Sequence, residues 1–294
     1  MTAWTSHPAP TLPDQDAPGV RRLRLSHPTE HGRRVGVRIE GGVEGERRPY
    51  VVLCHGFKGF MDWGFFPGLS RAIARSGHVA VSMNSSGCGV GEDPRTLDDD
   101  EGFFRDTYGR QLEDIAAVRA FARGLGSVDP EREALFGHSR GGGMMLLAAA
   151  TDAPRAVALW AAIDDADRFD TATKERWRAD GVLHVPNGRT GQVHRMSLAA
   201  LDEFEADPAR FDVLGAAARC EAPLLAVHGA DDATVEPEAA RRIASTAALG
   251  EALVIAGADH ALGARHPCPD PDSVPALAEA IAATVAFLGT HAAR

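Results

Sequence analysis

Cysteine is scarce in this sequence, and no pair of cysteines has the spacing of a metal site. The four cysteines, at positions 54, 88, 220 and 268, are far apart in a chain of 294 residues. None belongs to a Cys-x-x-Cys pair or to a Cys/His ligand pattern, so neither a zinc site nor a disulfide framework is predicted. We interpret all four as free thiols.

A long apolar segment is missing as well. The longest apolar run covers residues 141–150, whereas a helix that crosses a bilayer needs about 18 to 20 apolar residues. Residues 1–18 show no basic region followed by an apolar stretch, so no secretory signal is visible. We therefore predict a cytoplasmic protein without a membrane span, in which residues 1–19 form a flexible N-terminal segment.

Positive charge is in deficit. The 31 lysines and arginines face 41 aspartates and glutamates, and the formal net charge of -10 disfavours nucleic acid or an anionic membrane as a partner. Residues 87–91 are rich in glycine but do not form a nucleotide-binding motif. The acidic run at 98–101 is more typical of a solvated loop than of a cation site. We expect no cofactor and no metal.

The overall composition is that of a soluble globular protein. Hydrophobic residues make up 44% and charged residues 24% of the chain, which is close to the average for such domains. A chain of this length fits either two small domains or one large α/β domain with an insertion. We expect a single domain over residues 20–294.

Short apolar segments alternate with helical patterns along this domain. Two early segments of alternating polarity, 20–25 and 34–40, are expected to form an antiparallel edge. The segments typical of strands buried on both faces are 50–54, 79–83, 134–136, 156–160, 224–227 and 252–255. The segments with a helical pattern are 69–75, 108–123, 142–150, 237–248 and 274–288. This alternation predicts an α/β fold with a mostly parallel, twisted sheet flanked by helices.

One long stretch interrupts the alternation. Residues 165–211 separate the sixth predicted strand from the seventh, and they contain a predicted hairpin of strands 182–185 and 193–196 around Pro-Asn-Gly. We interpret this stretch as an inserted cap. The alternative is an ordinary crossover of unusual length.

The strongest motif is Gly-His-Ser-Arg-Gly at 137–141, which lies between a predicted strand and a predicted helix. A serine on such a sharp turn has strained backbone angles and close neighbours, so glycine is needed on both sides. Ser139 is therefore a candidate nucleophile. The alternative is a serine that only caps the helix.

A nucleophilic serine needs a base to take its proton and an acid to orient that base. Asp232 and His260 each follow a predicted core strand, so both belong at the same edge of the sheet. The chain order Ser, Asp, His is typical of one fold class. Asp231, and Asp164 or Asp165 after another core strand, are the alternative acids.

An acyl-transfer site also needs two donors for the oxyanion of its tetrahedral intermediate. The main-chain N–H of Arg140, which follows the candidate nucleophile, is one candidate donor. The N–H of Phe57, in the loop after strand 50–54, is the other, and Gly56 permits the turn.

The motifs at 55–59, 137–141, 228–235 and 257–260 resemble those of serine hydrolases with the α/β-hydrolase fold. The resemblance covers essentially all of the chain after residue 20. Within that superfamily the sequence is most similar to cinnamoyl or feruloyl esterase-like and serine aminopeptidase-like bacterial hydrolases, which carry a cap after the sixth core strand.

This resemblance implies a role for each matching residue. Ser139 would be the nucleophile, His260 the general base and acid, and Asp232 the carboxylate that orients the histidine. Phe57 and Arg140 would form the oxyanion hole with their main-chain N–H groups.

The substrate pocket is less well defined by the sequence. Arg189 and Gln192, in the predicted cap hairpin, are candidates to bind the polar end of a substrate, and a surface turn is the alternative. Trp160 and Trp177 are candidates to line the pocket, with core packing as the alternative.

We expect a cofactor-free carboxylesterase that forms an acyl-enzyme on a small-molecule ester, including aryl or hydroxycinnamoyl esters. One alternative is an aminopeptidase or acyl-peptidase that uses the same residues on an amide. Another is a non-catalytic binding protein on a hydrolase fold. The complete set of catalytic residue types argues against this second alternative. The sequence carries no indication of an oligomeric state.

Overall fold

A nine-stranded sheet runs through the molecule, as seen in a computed structural model that describes residues 4–10, 19–27, 30, 32–94, 96–188 and 191–293. The described strands are β1 (Thr5–Pro8), β2 (Arg21–Ser26), β3 (Arg34–Glu40), β4 (Arg48–Cys54), β5 (Val79–Asn84), β6 (Val128–His138), β7 (Ala156–Trp160), β8 (Val182–Pro186), β9 (Val193–Ser197), β10 (Leu224–Gly229) and β11 (Gly250–Ile255). The spatial order of the large sheet is β1-β2-β3-β5-β4-β6-β7-β10-β11. In this order, the pairs β1–β2, β2–β3 and β3–β5 are antiparallel. The remaining pairs, from β5–β4 to β10–β11, are parallel.

Helices cover this sheet on both faces. The described α-helices are α1 (Phe66–Arg75), α2 (Asp100–Phe104), α3 (Tyr108–Arg123), α4 (Arg140–Thr151), α5 (Thr171–Asp180), α6 (Ala199–Ala206), α7 (Val213–Arg219), α8 (Glu238–Thr246) and α9 (Pro275–His291). Short 3₁₀ turns lie at Pro208–Phe211 and Pro271–Ser273.

Two apolar clusters hold the sheet and the helices together. In β4 the side chains alternate: Val52 packs with α3 and α4 on one face, whereas Val51 and Leu53 pack with α1 and α9 on the other. Successive side chains of a strand point to opposite faces, so a strand covered on both sides must be apolar throughout. The predicted α/β architecture with a mostly parallel sheet is confirmed.

Two local features differ from the sequence interpretation. Thr5–Pro8 forms an exposed edge strand beside β2, within the segment expected to precede the domain. The acidic run at 98–101 is not only a loop, because α2 begins within it. Asp99 Oδ1 accepts the N–H of Gly102 at 2.8 Å, and acidic residues in the first helical turn complement the helix dipole.

The long stretch between β7 and β10 has secondary structure of its own. It contains α5, the β8–β9 hairpin, α6 and α7, and the predicted hairpin is confirmed. Trp177, Met196 and Leu201 of this stretch pack with Phe103 of α2 in a small apolar cluster separate from those of the main sheet. No helix among the described residues is long and apolar enough to span a membrane.

Candidate active site

Ser139 lies on a sharp turn between β6 and α4. Its φ of 55° and ψ of -124° are unusual for a residue with a side chain. The turn depends on both flanking glycines: a Cβ on Gly137 would lie 2.5 Å from the carbonyl oxygen of Gly141, and a Cβ on Gly141 would lie 2.3 Å from that of His55. The main chain thus approaches itself too closely for any larger residue.

The hydroxyl of Ser139 is the first group in a hydrogen-bonded chain. His260 Nε2 lies 3.1 Å from Ser139 Oγ, and His260 Nδ1 lies 2.7 Å from Asp232 Oδ2. A carboxylate only accepts hydrogen bonds, so Nδ1 carries the proton and Nε2 is left to accept one from the serine. This arrangement can activate a hydroxyl as a nucleophile.

Both carboxylate oxygens of Asp232 have hydrogen-bonding partners. Oδ1 accepts the N–H groups of Thr234 at 2.8 Å and Val235 at 3.0 Å, and Oδ2 lies 3.0 Å from Nε2 of the buried His228. Burial acts to raise the pKa of Asp232, but the hydrogen bonds from His228, His260 and Val235 outweigh it and hold that pKa well below its usual range. Asp232 is therefore a carboxylate that keeps its charge while largely shielded from solvent.

The alternative acids are engaged elsewhere. Asp164 Oδ2 pairs with Arg242 Nε at 2.5 Å, and the exposed Asp165 accepts the N–H of Asp167 at 2.8 Å. Asp231 is exposed as well. Among the described residues, Asp232 is the carboxylate that contacts the ring of His260.

His138, the second residue of the motif, supports the loop that carries His260. Its Nε2 lies 3.0 Å from the main-chain oxygen of His260, and the two rings lie 4.8 Å apart. His138 therefore has a packing and hydrogen-bonding position beside the group formed by Asp232, His260 and Ser139.

The candidate oxyanion donors belong to Arg140, which follows Ser139 in the chain, and to Phe57, whose loop approaches Ser139. Arg140 is the first residue of α4, where a main-chain N–H has no acceptor within the helix. Gly56 is so near the nucleophile that a Cβ on it would lie 2.8 Å from Ser139 Cβ. The loop that leads to Phe57 therefore reaches Ser139 only because residue 56 lacks a side chain.

The ring of His55 stabilises that loop with two hydrogen bonds. Its Nδ1 donates to the carbonyl oxygen of Gly56 at 2.8 Å, and its Nε2 accepts the N–H of Ser85 at 3.1 Å. Burial lowers the pKa of His55 to about 4, so the ring is neutral at physiological pH and keeps this pattern of donor and acceptor.

A mostly apolar cavity of about 240 Å³ opens beside Ser139. Several of its walls come from the stretch between β7 and β10. Its apolar side chains include Phe57, Tyr108, Ile163, Phe169, Trp177, Met196, Leu201, Phe204 and Val235. Lys58, next to Phe57, donates to the carbonyl oxygen of Pro186 at 3.1 Å, so the β8–β9 hairpin also contacts the loop of the candidate oxyanion hole.

The charged side chains of the cavity are paired within the protein. Lys174 Nζ lies 2.7 Å from Asp167 Oδ2, and Arg168 donates to the carbonyl oxygen of Thr234 at 2.9 Å. The guanidinium of Arg140 pairs with a buried carboxylate. The cavity therefore combines a large apolar wall with few charges, each of them neutralised or hydrogen-bonded.

Trp160 does not line this cavity, and its predicted contact with substrate was wrong. Its side chain is fully buried against Phe65 and Phe136, and its Nε1 donates to Thr284 Oγ1 at 2.9 Å. Strand β7 directs it toward α9, into the core on that face of the sheet. Trp177 does line the cavity.

Gln192 and Arg189 are the two hairpin residues that were predicted to bind substrate. Gln192 is exposed and donates to the carbonyl oxygen of Leu97 at 3.0 Å, so its side chain ties the hairpin to a neighbouring loop outside the cavity lining. Its predicted contact with substrate is corrected accordingly. Arg189 lies outside the described residues.

One cluster of possible metal ligands occurs among the described residues. Ligand atoms of His27, Glu30 and Glu113 lie within 4.8 Å of one another. Arg33 pairs with both glutamates, Arg110 pairs with Glu30, and His27 Nδ1 accepts the N–H of Glu30. The acidic groups are thus already balanced by guanidinium groups, and these residues do not line the Ser139 cavity.

Comparison with protein families gives a match over more than half of this chain. A model of the prolyl oligopeptidase family matches residues 101–267, which include Ser139, Asp232 and His260. A curated relative, an uncharacterized 31.7 kDa protein from the traX-finO intergenic region of Escherichia coli, is 30% identical over 113 residues. That alignment covers 38% of this chain and only 35% of the relative.

Solved structures resemble this chain over most of its length. Est1E from Butyrivibrio proteoclasticus with ferulic acid bound is 19% identical, with a TM-score of 0.66 over 90% of this chain and 98% of that one. The esterase domain of a Rhodothermus marinus protein is 19% identical, with a TM-score of 0.62 over 93% and 99%. A puromycin-hydrolyzing peptidase from Mycobacterium tuberculosis is 24% identical, with a TM-score of 0.63 over 89% and 38%. At these identities the likeness concerns the fold, and the predicted α/β-hydrolase fold is confirmed.

Proposed function

The chain belongs to the prolyl oligopeptidase family, and we propose that it is a serine hydrolase that cleaves carboxylic esters through an acyl-enzyme on Ser139. The observation that carries this proposal is the hydrogen-bonded chain from Asp232 through His260 to Ser139, at the mouth of an apolar cavity. The same geometry that orients the histidine leaves its Nε2 free to take the serine proton.

In the proposed reaction, Ser139 Oγ attacks the ester carbonyl carbon while its proton moves to His260 Nε2. The carbonyl oxygen becomes an oxyanion, which the N–H groups of Phe57 and Arg140 stabilise. His260 then gives the proton to the departing alcohol, leaving an acyl-enzyme. Water attacks this ester by the same sequence of proton transfers and releases the carboxylic acid.

The charges in the cavity favour an ester over an aminopeptidase substrate. A free amino terminus carries a positive charge and needs a carboxylate that is available to it. Among the described lining residues, Asp167 is the acidic one, and Lys174 already pairs with it. Large aromatic and aliphatic walls instead suit an uncharged acyl or aryl group.

Amide cleavage is the second candidate. It is supported by the family match and by the fold shared with a puromycin-hydrolyzing peptidase. Both reactions use the same nucleophile, base and oxyanion hole, so only the leaving group and its binding distinguish them.

A hydrolysis panel tests the proposal. It should contain aryl esters of graded acyl length, hydroxycinnamate esters, and anilides with acyl and aminoacyl groups, with Ser139→Ala as the blank. We expect the esters to have the higher kcat/KM. Anilides cleaved as well as the matching esters would support a peptidase, and a folded protein inert toward every substrate and toward a fluorophosphonate would indicate a binding protein.

We also propose that residues 165–211 act as a cap that selects substrates by size. Phe169, Trp177 and Phe204 of this stretch line the cavity, while the machinery itself comes from the main sheet. Remote contacts of this kind change the ratio between substrates more than they change the chemistry. A cytoplasmic site of action stays a prediction from the sequence.

Phe169→Ala is expected to change substrate preference. Phe169 is half-buried and packs edge-on against Trp177 with ring centroids 5.3 Å apart, so its loss widens the cavity. We expect kcat/KM for a cinnamoyl ester to fall by about 10- to 100-fold relative to an acetyl ester, the range for a lost apolar pocket contact. Val193→Ala, at a 59% exposed position on the hairpin, is the control. Equal losses on both esters would contradict a role in selection.

A further inference from the structure

The proposed reaction uses the main-chain N–H of Arg140 but gives no role to its side chain. This side chain is 10% exposed, and the guanidinium pairs with the carboxylate of Asp106, whose side chain is 2% exposed. Nη1 lies 2.6 Å from Oδ2, and Nη2 donates to Oδ1 at 3.0 Å. One hydrogen bond and one close ionic contact thus hold the guanidinium against the carboxylate.

The same guanidinium lies between two aromatic rings. Its Cζ is 5.1 Å from the centre of the Phe57 ring and 5.6 Å from that of the Tyr108 ring. Contacts between a cation and a ring at this distance are attractive, and they strengthen when water is excluded. One of these rings belongs to the residue that offers the second oxyanion donor.

Two further hydrogen bonds, through the side chain of Gln111, connect Arg140 with the loop before Phe57. Arg140 Nε donates to Gln111 Oε1 at 2.7 Å, and Gln111 Nε2 donates to the carbonyl oxygen of His55 at 3.5 Å. Gln111 is fully buried. Every guanidinium nitrogen therefore has a partner within the protein, so the group is built into the wall of the cavity and does not offer a free charge to a ligand.

The glycine-rich loop at 87–91 makes room for this arrangement. A Cβ on Gly87 would lie 2.3 Å from Asp106 Oδ1, closer than the carboxylate can tolerate without moving. Glycine at position 87 thus leaves space for the ion pair of Asp106 and Arg140. This is a structural role for the loop, and it does not involve nucleotide binding.

We propose that the side chain of Arg140, held by Asp106, positions the oxyanion hole. Arg140 supplies one donor with its main chain, and its side chain clamps the residue that supplies the other. This inference rests on the proposed function. It predicts that weakening the clamp moves the donors relative to each other, and small displacements of preorganised donors act on the transition state more than on substrate binding.

The test separates transition-state contacts from cavity contacts. An aryl trifluoromethyl ketone adds to Ser139 as a tetrahedral oxyanion, whereas the trifluoromethyl carbinol of the same skeleton fills the cavity without reacting. For Asp106→Asn, Arg140→Lys and Gly87→Ala we expect the affinity for the ketone to fall about 10- to 100-fold, somewhat less than the loss of a whole donor. Affinity for the carbinol should stay within about threefold, and kcat should fall with little change in KM.

The matched control is Glu133→Gln. It weakens the buried pair of Arg119 and Glu133, in which Nη2 and Oε2 lie 2.5 Å apart. Six residues of extended chain, about 20 Å, separate Glu133 from the nucleophile along the same strand. We expect this variant to lower the melting temperature without changing the ratio of ketone to carbinol affinity.

Several outcomes overturn the inference. Equal losses of ketone and carbinol affinity, no loss of either in folded variants, or the same ratio change in Glu133→Gln would each show a merely structural ion pair. Should Asp106→Asn fail to fold, Arg140→Lys and Gly87→Ala decide the matter. A wild-type protein that neither hydrolyses esters nor forms the ketone adduct contradicts the proposed function instead, so the two failures are distinguishable.

Discussion

Replacing Ser139 with alanine is expected to lower ester hydrolysis by about 10⁴- to 10⁶-fold, the range found when the nucleophile of a serine hydrolase is removed. Without Oγ there is no atom to form the acyl-enzyme, and His260 has no hydroxyl to activate. KM is expected to change little, because the apolar walls of the cavity stay in place. Hydrolysis of an aryl ester and covalent labelling by a fluorophosphonate measure the two losses independently.

Ser85→Ala is the informative control for this loss. Ser85 Oγ lies 3.5 Å from His55 Nε2, so it is a second serine beside a buried histidine. That histidine donates to a main-chain oxygen rather than to a carboxylate, and burial lowers its pKa to about 4, which makes it a poor base. We expect Ser85→Ala to retain labelling. A label found on Ser85, or retained in Ser139→Ala, would contradict the assignment of the nucleophile.

The proximity of the three candidate catalytic residues was predictable from the way in which parallel strands align in a sheet. Ser139, Asp232 and His260 are separated by up to 121 positions in the chain, yet each follows the carboxyl end of a core strand. All such ends meet at one edge of a parallel sheet, so knowledge of the strands was enough to place the three side chains near one another.

The direction of individual side chains was less predictable. A strand buried on both faces has no alternation of polarity, so the sequence of β7 does not indicate that Trp160 points toward α9. A hairpin turn likewise does not reveal which neighbour it meets, and Gln192 bonds to the loop at Leu97 instead of reaching the cavity.

Pairings between distant elements were not predictable at all. Asp106 lies 34 positions before Arg140, in the connection between α2 and α3, and neither residue belongs to a periodic pattern that suggests the contact. Gly87 offered no distinct signal, because it is one of three glycines in residues 87–91. Phe169 and Trp177 come from a stretch whose position over the sheet depends on tertiary packing.

Asp232→Asn is expected to reduce turnover by about 10⁴-fold, although the two side chains have nearly the same shape. Both oxygens of Asp232 accept hydrogen bonds, from two main-chain N–H groups on one side and from His228 and His260 on the other. An asparagine has one oxygen and one NH₂ group. If its oxygen faces the main chain, the NH₂ group confronts the Nδ1–H of His260, which then favours the tautomer that cannot accept the proton of Ser139.

The reverse orientation of the asparagine is no better for folding, because its NH₂ group then meets the N–H groups of Thr234 and Val235. We therefore expect a lower melting temperature as well as a lower kcat, with KM little changed because Asp232 does not line the cavity. Asp165→Asn, at an exposed carboxylate outside the chain of hydrogen bonds, serves as the control and should retain near-normal turnover. A crippled Asp165→Asn beside a nearly normal Asp232→Asn would transfer the role of the acid to Asp165.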